Sequence, residues 1–269
     1  MSALDAAFLD HALGVARQAA EAAAQVIARH YAAGSEVRLK DDLTPVTRAD
    51  VESEQTIRRI VLDAFPEHAI FGEEEGRRGG GDFLWLVDPI DGTRAFVRGY
   101  PLFSTQIALM HRGELVLGVS HAGEYGESAW ARRGGGAFLR DGRGRERALA
   151  IREPGDWAQR AVSTGNLKSL TGGRGWQALG ALIGAVGRIR GYGDFLHYHL
   201  LARGSIDAVI ESDVNILDIA ALAVIVGEAG GMFSDLDGRP PTLDTRSVLA
   251  AAPDFHADLV RRFEGWRDA

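Results

Sequence analysis

Cysteine is absent from the sequence, which excludes a disulfide framework, a thiolate zinc site and a cysteine nucleophile together. Basic residues are in deficit: 30 Lys and Arg against 37 Asp and Glu give a formal charge of -7. That balance argues against a broad nucleic-acid surface, and an anionic ligand would need some attraction other than net charge. Three motifs are also missing: a nucleophile elbow of the Ser-His-Asp hydrolases, a Walker A loop, and a Gly-x-Gly-x-x-Gly turn after a strand. The longest apolar stretch, Ile216 to Phe233, contains Asp218, Glu228 and several glycines, so it reads as a buried helix and not as a membrane span. Asp5 stands early and no basic segment leads into an apolar one, so no signal peptide is read and the cytoplasm is the expected compartment.

The composition is that of a globular protein. With 269 residues, 46% hydrophobic and 25% charged, the chain can bury a core as one large domain or two modest ones. Phe8, Ala12, Val15, Ala19, Ala22 and Val26 recur at helical spacing, predicting an Ala-rich amphipathic helix over residues 5 to 31. Thr47 can cap a second helix whose apolar face runs through Ile57, Ile60 and Val61 and which ends before Pro66. Phe83 to Val87 reads as a buried strand ending at Asp88-Pro89. Runs at Phe103 to Met110, Leu115 to His121 and Ser128 to Ala131, joined by Gly-containing connections, suggest an antiparallel meander. After Glu153-Pro154 strands and helices alternate, the texture of layered α/β structure, so the expected division is 1–153 and 154–269. The first unit would hold the antiparallel sheet and most candidate ligands, the second Asp218 and the substrate-side residues.

The informative segment is Asp88-Pro89-Ile90-Asp91-Gly92-Thr93, two carboxylates around a rigid Pro turn at the end of a buried strand. Pro89 restricts its predecessor to extended backbone and Gly92 permits close backbone approach, so both acids can converge on one point beside free amides. The plain alternative is a turn whose Asp caps a helix. Glu73, in Gly72-Glu73-Glu74-Glu75, stands at the end of a candidate strand Ala69 to Phe71 and can add a third oxygen ligand. Asp218, at the start of the apolar helix Leu217 to Ala229, is either a helix cap or a carboxylate aimed into the site, and Asp42 is a fourth element. Carboxylates without Cys or a dense His set suit a hard cation, Mg²⁺ before others, and such an ion turns an acidic pocket into a phosphate pocket. Two ions about 4 Å apart can hold both the attacking water and the leaving oxygen of a displacement at phosphorus. His197 and His199 have His-x-His spacing, but on a helix they point apart and read as structural or pocket-lining.

Gly72-Glu73-Glu74, Asp88 to Thr93 and Leu217-Asp218-Ile219-Ala220-Ala221, in this order, resemble the inositol monophosphatase superfamily of Mg²⁺-dependent phosphatases. Lys40 to Asp50 and the segment from Gly230-Gly231 to Asp235–Gly238 resemble its N-terminal and C-terminal signatures, so the likeness covers nearly the whole chain. The resemblance implies an α/β (α+β) fold, a layered α-β-α-β-α sandwich of the inositol monophosphatase and fructose-1,6-bisphosphatase type, usually homodimeric. It implies two Mg²⁺ ions and room for a third: Glu73, Asp88 and the Ile90 carbonyl on the first, Asp88, Asp91 and Asp218 on the second. Gly92 and Thr93 would hold phosphate through their amides, and Glu73 and Thr93 would orient the attacking water. Asp42 would assist through a third, weaker ion or through Thr93. One departure from the family pattern is Leu217, where a Trp usually precedes the last metal Asp.

The segments Arg94 to Leu109 and Gly191-Tyr192-Gly193-Asp194-Phe195 look most like the histidinol-phosphatase branch, which hydrolyses L-histidinol phosphate in histidine biosynthesis. Asp194 and Glu211 are acids placed where the leaving group should lie, and two acids suit a cationic amino alcohol better than a neutral polyol. Against this, Asp194 could cap its helix and Glu211 could bond only locally. Inositol 1-phosphate is the alternative substrate, with 3'-phosphoadenosine 5'-phosphate and fructose 1,6-bisphosphate behind it. A non-catalytic phosphate-binding or scaffold protein is the reading from a different class, opposed by the presence of Glu73, Asp88, Asp91 and Asp218 together. No nucleic-acid or membrane partner is expected.

Overall fold

The computed structural model describes residues 4–33, 37–39, 45–153 and 155–268. Helix α1 (Ala6–Ala33) is followed by a small ladder of β1 (Val37–Leu39) and β2 (Pro45–Thr47), then by α2 (Arg48–Ala64). Next come β3 (Ala69–Gly72), β4 (Gly76–Arg78), β5 (Phe83–Asp91), the short α3 (Thr93–Val97), β6 (Ser104–His111), β7 (Glu114–Ala122), β8 (Glu127–Arg132), β9 (Gly136–Asp141) and β10 (Glu146–Ala148). These strands make one sheet in the order β10-β9-β8-β7-β6-β5-β3-β4. The expected meander is its antiparallel centre, and β3 joins β5 in parallel. The remainder runs β11 (Ala161–Thr164), α4 (Gly173–Ala185), β12 (Arg188–Arg190), α5 (Asp194–Ala202), β13 (Ala208–Ser212), α6 (Ile216–Glu228), β14 (Met232–Ser234), β15 (Ser247–Ala251) and α7 (Pro253–Phe263). The second sheet, β12-β11-β13-β15-β14, is mixed: β11 pairs in parallel with β12 and β13, whereas β15 pairs antiparallel with β13 and β14.

Strand β5 shows how the layers stack. Trp85 and Val87 point to one face, among Ala12, Ala16 and Ala19 of α1 and Ile57 and Val61 of α2. Leu84 and Leu86 point to the other, among residues of α5, α6 and the second sheet. Every position of the run is apolar because both faces are buried. Beyond the second sheet, Leu179 and Leu182 of α4 and Phe255 and Leu259 of α7 close the outer core. The result is the layered α-β-α-β-α sandwich. Helix α6 belongs to the alternating half of the chain, yet it lies against the first sheet. Gly118 on β7 makes this approach possible, since a Cβ there would sit 2.3 Å from the Ala221 carbonyl oxygen. Among the described residues no helix is long and apolar enough to cross a membrane.

One sequence expectation needs correction: β5 does not stop at Asp88-Pro89 but continues to Asp91. The ladder with β6 shifts register there, Asp88 facing Gln106 and Asp91 facing Ser104. Two residues of β5 therefore oppose the single Thr105, a bulge that absorbs the missing N–H of Pro89. Thr105 Oγ1 donates to the Pro89 carbonyl at 2.9 Å, and the Ile90 amide donates to Asp88 Oδ1 at 2.9 Å. The bulge has a direct consequence for chemistry. In a regular strand, residues three apart face opposite sides; the extra residue returns Asp91 to the side of Asp88, toward α6.

Candidate active site

The carboxylate oxygens of Asp88, Asp91 and Asp218 lie within 4.8 Å of one another. Asp218 reaches this cluster from the first turn of α6, where Asn215 is the N-cap and the Asn215 amide donates to Asp218 Oδ2 at 3.0 Å. The two readings of Asp218 are thus both realised, cap and cluster member, because a carboxylate has lone pairs for each. Leu217 beside it is buried in the core between the sheets. Glu73 follows β3 and is tied to the neighbouring strand by its amide, which donates to the Val87 carbonyl at 3.2 Å. Glu73, Asp88, Ile90, Asp91, Gly92 and Thr93 line one cavity of about 560 Å³, which Asp194, Glu211 and Asp218 also line.

Burial and mutual repulsion set the electrostatics. Burial first, then the neighbouring Glu73 and Asp218, holds the Asp88 carboxyl well above the usual carboxylate range. Asp91 is raised likewise by burial, then by Asp194 and Asp218. Asp218 is pushed up to about 7, chiefly by burial and against the lowering effect of the Asn215 amide. No Lys or Arg among the described residues forms an ion pair with these three acids. An all-oxygen set of buried and half-buried carboxylates without a basic partner among the described residues fits a hard divalent cation such as Mg²⁺.

Thr93 opens α3, and Gly92 before it has φ 92° with its ideal Cβ position 2.7 Å from the Leu102 carbonyl oxygen, so only glycine fits. Thr93 Oγ1 lies 3.0 Å from the Ile90 carbonyl and 3.3 Å from Asp50 Oδ1. Among the described residues the carboxylate beside Thr93 is that of Asp50; Asp42, expected to act through a third ion or through Thr93, lies outside the described residues. Asp50 is buried, its acidity reduced by that burial, and its Oδ2 accepts from both the amide and the hydroxyl of the N-cap Thr47 at 2.7 Å.

Glu54, one turn after Asp50, is the second residue missed from sequence. Its carboxylate is fully buried and accepts from the amides of Glu74 at 2.7 Å and Glu75 at 3.0 Å, while Arg58 Nε donates to it at 2.8 Å. Gly72 makes room for it, since a Cβ there would fall 2.3 Å from Glu54 Oε1. The turn that presents Glu73 is thus clamped from α2. A legible signal existed: Asp50, Glu54 and Arg58 are polar residues at spacing four within the buried stripe of an amphipathic helix. Glu54→Gln leaves Arg58 without its buried charge partner and turns an acceptor into a donor facing an amide. We expect a stability loss of about 3 kcal/mol and a fall in kcat/KM, read by thermal denaturation and steady-state kinetics. Wild-type values for both would show that the clamp does not hold the turn.

The acids assigned to the leaving group differ in their commitments. Glu211 accepts from Tyr198 Oη at 2.8 Å and from the Asn166 amide at 3.2 Å, with His197 Nε2 3.2 Å away. Asp194 does not cap α5 with its side chain; Gly193 is the N-cap and Asp194 occupies the first helical turn with φ 45°. Burial and the nearby Glu211 push its carboxyl up to about 6. A non-glycine residue in the left-handed region is strained, and such strain concentrates at functional positions. His197 and His199 point apart as expected, His197 to Ser163 and Glu211, His199 to Ser120 and Glu127.

A three-acid cluster lining a cavity open to a small phosphate ester, set in a five-layer sandwich, is the site of a phosphatase, a phosphoric monoester hydrolase of the metal-dependent kind. The chain belongs to the inositol monophosphatase family, whose model matches residues 9–265. It is 37% identical over 247 residues to a histidinol-phosphatase of Streptomyces coelicolor, covering 88% of this chain and 89% of that one. It is 38% identical over 208 residues to a histidinol-phosphatase of Mycobacterium tuberculosis, covering 74% and 77%. Among solved structures, the extragenic suppressor protein suhB of Bartonella henselae superposes with a TM-score of 0.84 at 29% identity, covering 94% of this chain and 98% of that one.

Proposed function

We propose that the protein hydrolyses L-histidinol phosphate to L-histidinol and phosphate, in histidine biosynthesis, as a cytoplasmic homodimer. The observation that carries this reading is Asp194, a strained, half-buried carboxylate beside the acid cluster that does not cap its own helix, whereas Glu211 already accepts from Tyr198 and the Asn166 amide. It offers a partner for an ammonium or imidazolium group on the alcohol side of the ester. The names of the two histidinol-phosphatase relatives support the same choice.

In this reading Glu73, Asp88 and the Ile90 carbonyl would hold one Mg²⁺, and Asp88, Asp91 and Asp218 a second. When bound, the ions supply positive charge that draws in the phosphate and polarises it toward attack. The amides of Gly92 and Thr93 bind non-bridging phosphate oxygens. Thr93 Oγ1 has its proton held between the Ile90 carbonyl and Asp50, so its lone pairs are free to accept from the attacking water, with Glu73 orienting that water from the other side. Water forms the new phosphorus–oxygen bond as the ester bond breaks, and the alcohol leaves with a proton. Asp194 aligns the cationic leaving group throughout.

The test is a phosphate-release panel of histidinol phosphate, inositol 1-phosphate, 3'-phosphoadenosine 5'-phosphate and fructose 1,6-bisphosphate with Mg²⁺, repeated in excess EDTA. Turnover should vanish in EDTA. Asp194→Asn keeps the size of the side chain and removes its charge. It should lower the ratio of kcat/KM for histidinol phosphate to that for inositol 1-phosphate by roughly tenfold to a hundredfold, the worth of a charge-assisted hydrogen bond. Glu211→Gln should lower it less, since Tyr198 and the Asn166 amide already occupy that carboxylate. A wild-type preference for inositol 1-phosphate, or an unchanged ratio in Asp194→Asn, would move the assignment to an inositol monophosphatase. No release from any ester would leave the binding-protein reading.

A further inference from the structure

Between the first sheet and α5, within an otherwise apolar layer, runs an unbroken chain of buried polar side chains that the proposed reaction does not use. Ser104 Oγ lies 3.4 Å from Asp91 Oδ2. Gln106, two residues on along β6 and so on the same face, donates from Nε2 to Ser104 Oγ at 2.8 Å and to Ser120 Oγ at 3.1 Å. Ser120 is the cross-strand partner of Gln106 on β7. Its hydroxyl meets His199 Nε2 at 3.0 Å, and His199 Nδ1 meets Glu127 Oε2 at 3.2 Å. Arg203 Nη1 donates to the other oxygen of Glu127 at 2.6 Å. Ser104, Gln106, Ser120 and His199 are all buried.

Donor and acceptor counting gives this chain a direction. Glu127 only accepts, so His199 carries its proton on Nδ1 and presents a bare Nε2 to Ser120. Burial favours the neutral imidazole that this arrangement needs. Ser120 then donates to His199 and keeps its lone pairs for Gln106. The Gln106 amide nitrogen consequently faces both serines; its carbonyl oxygen has no partner among the described residues, so nothing else orients it. Ser104, accepting from Gln106, is left with its proton pointing at Asp91. Among the described residues this hydroxyl is the only side-chain donor to Asp91.

We propose that His199 is a positioning residue for Asp91, acting through Ser120, Gln106 and Ser104 to hold the one hydroxyl proton that orients this carboxylate. The inference rests on the reading of Asp91 as a Mg²⁺ ligand. Partners behind a metal ligand commonly change metal affinity tenfold or more when removed. His199→Phe cuts the chain while keeping the edge-on ring contact with Phe195. His199→Gln restores an acceptor near the position of Nε2.

The experiment is calorimetric titration of the purified, metal-stripped protein with Mg²⁺ alone, on variants shown to be folded by circular dichroism. Ser104→Ala and His199→Phe should each weaken binding by about tenfold, the double variant should also stand about tenfold below wild type, and His199→Gln should return to within about threefold. Should His199→Phe not fold, Ser120→Ala cuts the same link with little change in volume and carries the same expectations. Losses that multiply to about a hundredfold in the double variant would overturn the proposal. So would wild-type affinity in either single variant, or failure of His199→Gln to rescue. Absence of Mg²⁺ binding by the wild type would instead overturn the metal reading, and the proposal with it.

Discussion

Asp88→Asn is expected to lower kcat/KM by about a thousandfold or more and, in the same preparation, to raise the melting temperature of the metal-free protein. The two effects have one cause. Asp88 is assigned to both ions, and Lewis-acid stabilisation worth several kcal/mol corresponds to about three powers of ten in rate. Without metal, burial and the facing Glu73 and Asp218 disfavour the ionised form of this carboxyl, which has no cationic partner among the described residues. Asparagine keeps the oxygen that accepts the Ile90 amide and removes the repulsion. The pH dependence follows. Burial pushes the Asp218 carboxyl up to about 7 in the folded protein, above its ordinary 3.8, so the folded metal-free protein binds more protons than the unfolded chain between those limits. Metal-free stability is therefore greatest below about pH 4 as far as this group is concerned, and is lost as pH rises toward 7. Melting curves in EDTA should drop by roughly 5 to 10 °C between pH 5 and 7.5, and saturating Mg²⁺ should flatten that slope. Asp88→Asn should show a shallower slope. A melting temperature below wild type in EDTA, or near-normal activity with Asp91→Asn inactive, would overturn the assignment of Asp88 as the shared ligand.

Gly118→Val should prevent accumulation of folded protein. A Cβ at this position would stand 2.3 Å from the Ala221 carbonyl oxygen and 2.7 Å from its Cα, both backbone atoms of α6 that cannot rotate away. Even Gly118→Ala forces the helix off the sheet, and we expect a loss of about 3 kcal/mol, roughly 6 to 12 °C in Tm. Because α6 carries Asp218 three residues before Ala221, the Ala variant should also bind Mg²⁺ more weakly. Gly14→Ala is the control: nothing lies within 4 Å of its ideal Cβ position in α1, so the change should stabilise by up to about 1 kcal/mol. If Gly118→Ala melts like wild type, the close approach of α6 to β7 is not what places Asp218.

The acid pattern was legible because each acid stands at one end of an apolar run whose period is local. Asp88 and Asp91 at the end of β5, Glu73 after β3 and Asp218 in the first turn of α6 are all found by reading where a buried element stops or starts. The convergence of Asp88 and Asp91 was legible in the Pro turn, but the means of it was not. Strand periodicity predicts opposite faces, and the bulge that reverses this depends on which residues of β6 lie opposite. Asp50 and Glu54 were passed over for a related reason. On α2 they look like the polar residues of any amphipathic helix, and their role appears only when Thr93 and the Glu74 and Glu75 amides are brought against them. His199 pointed away from His197 as helix geometry requires, but Ser120 and Gln106 come from distant strands.

The sequence by itself determined the chemistry and the elements. Oxygen ligands without thiols select a hard cation, Gly92 permits a backbone that no other residue can adopt there, and the meander and the alternating half follow from hydrophobic period and turn residues. These depend on side-chain type and on neighbours a few positions away. Only the tertiary structure decided which carboxylates share a point, which is held by its own protein as Glu211 is, and which stands open as Asp194 does. Those outcomes depend on strand register and on the close approach of α6 to Gly118, quantities set by packing between segments a hundred residues apart, which no local period encodes.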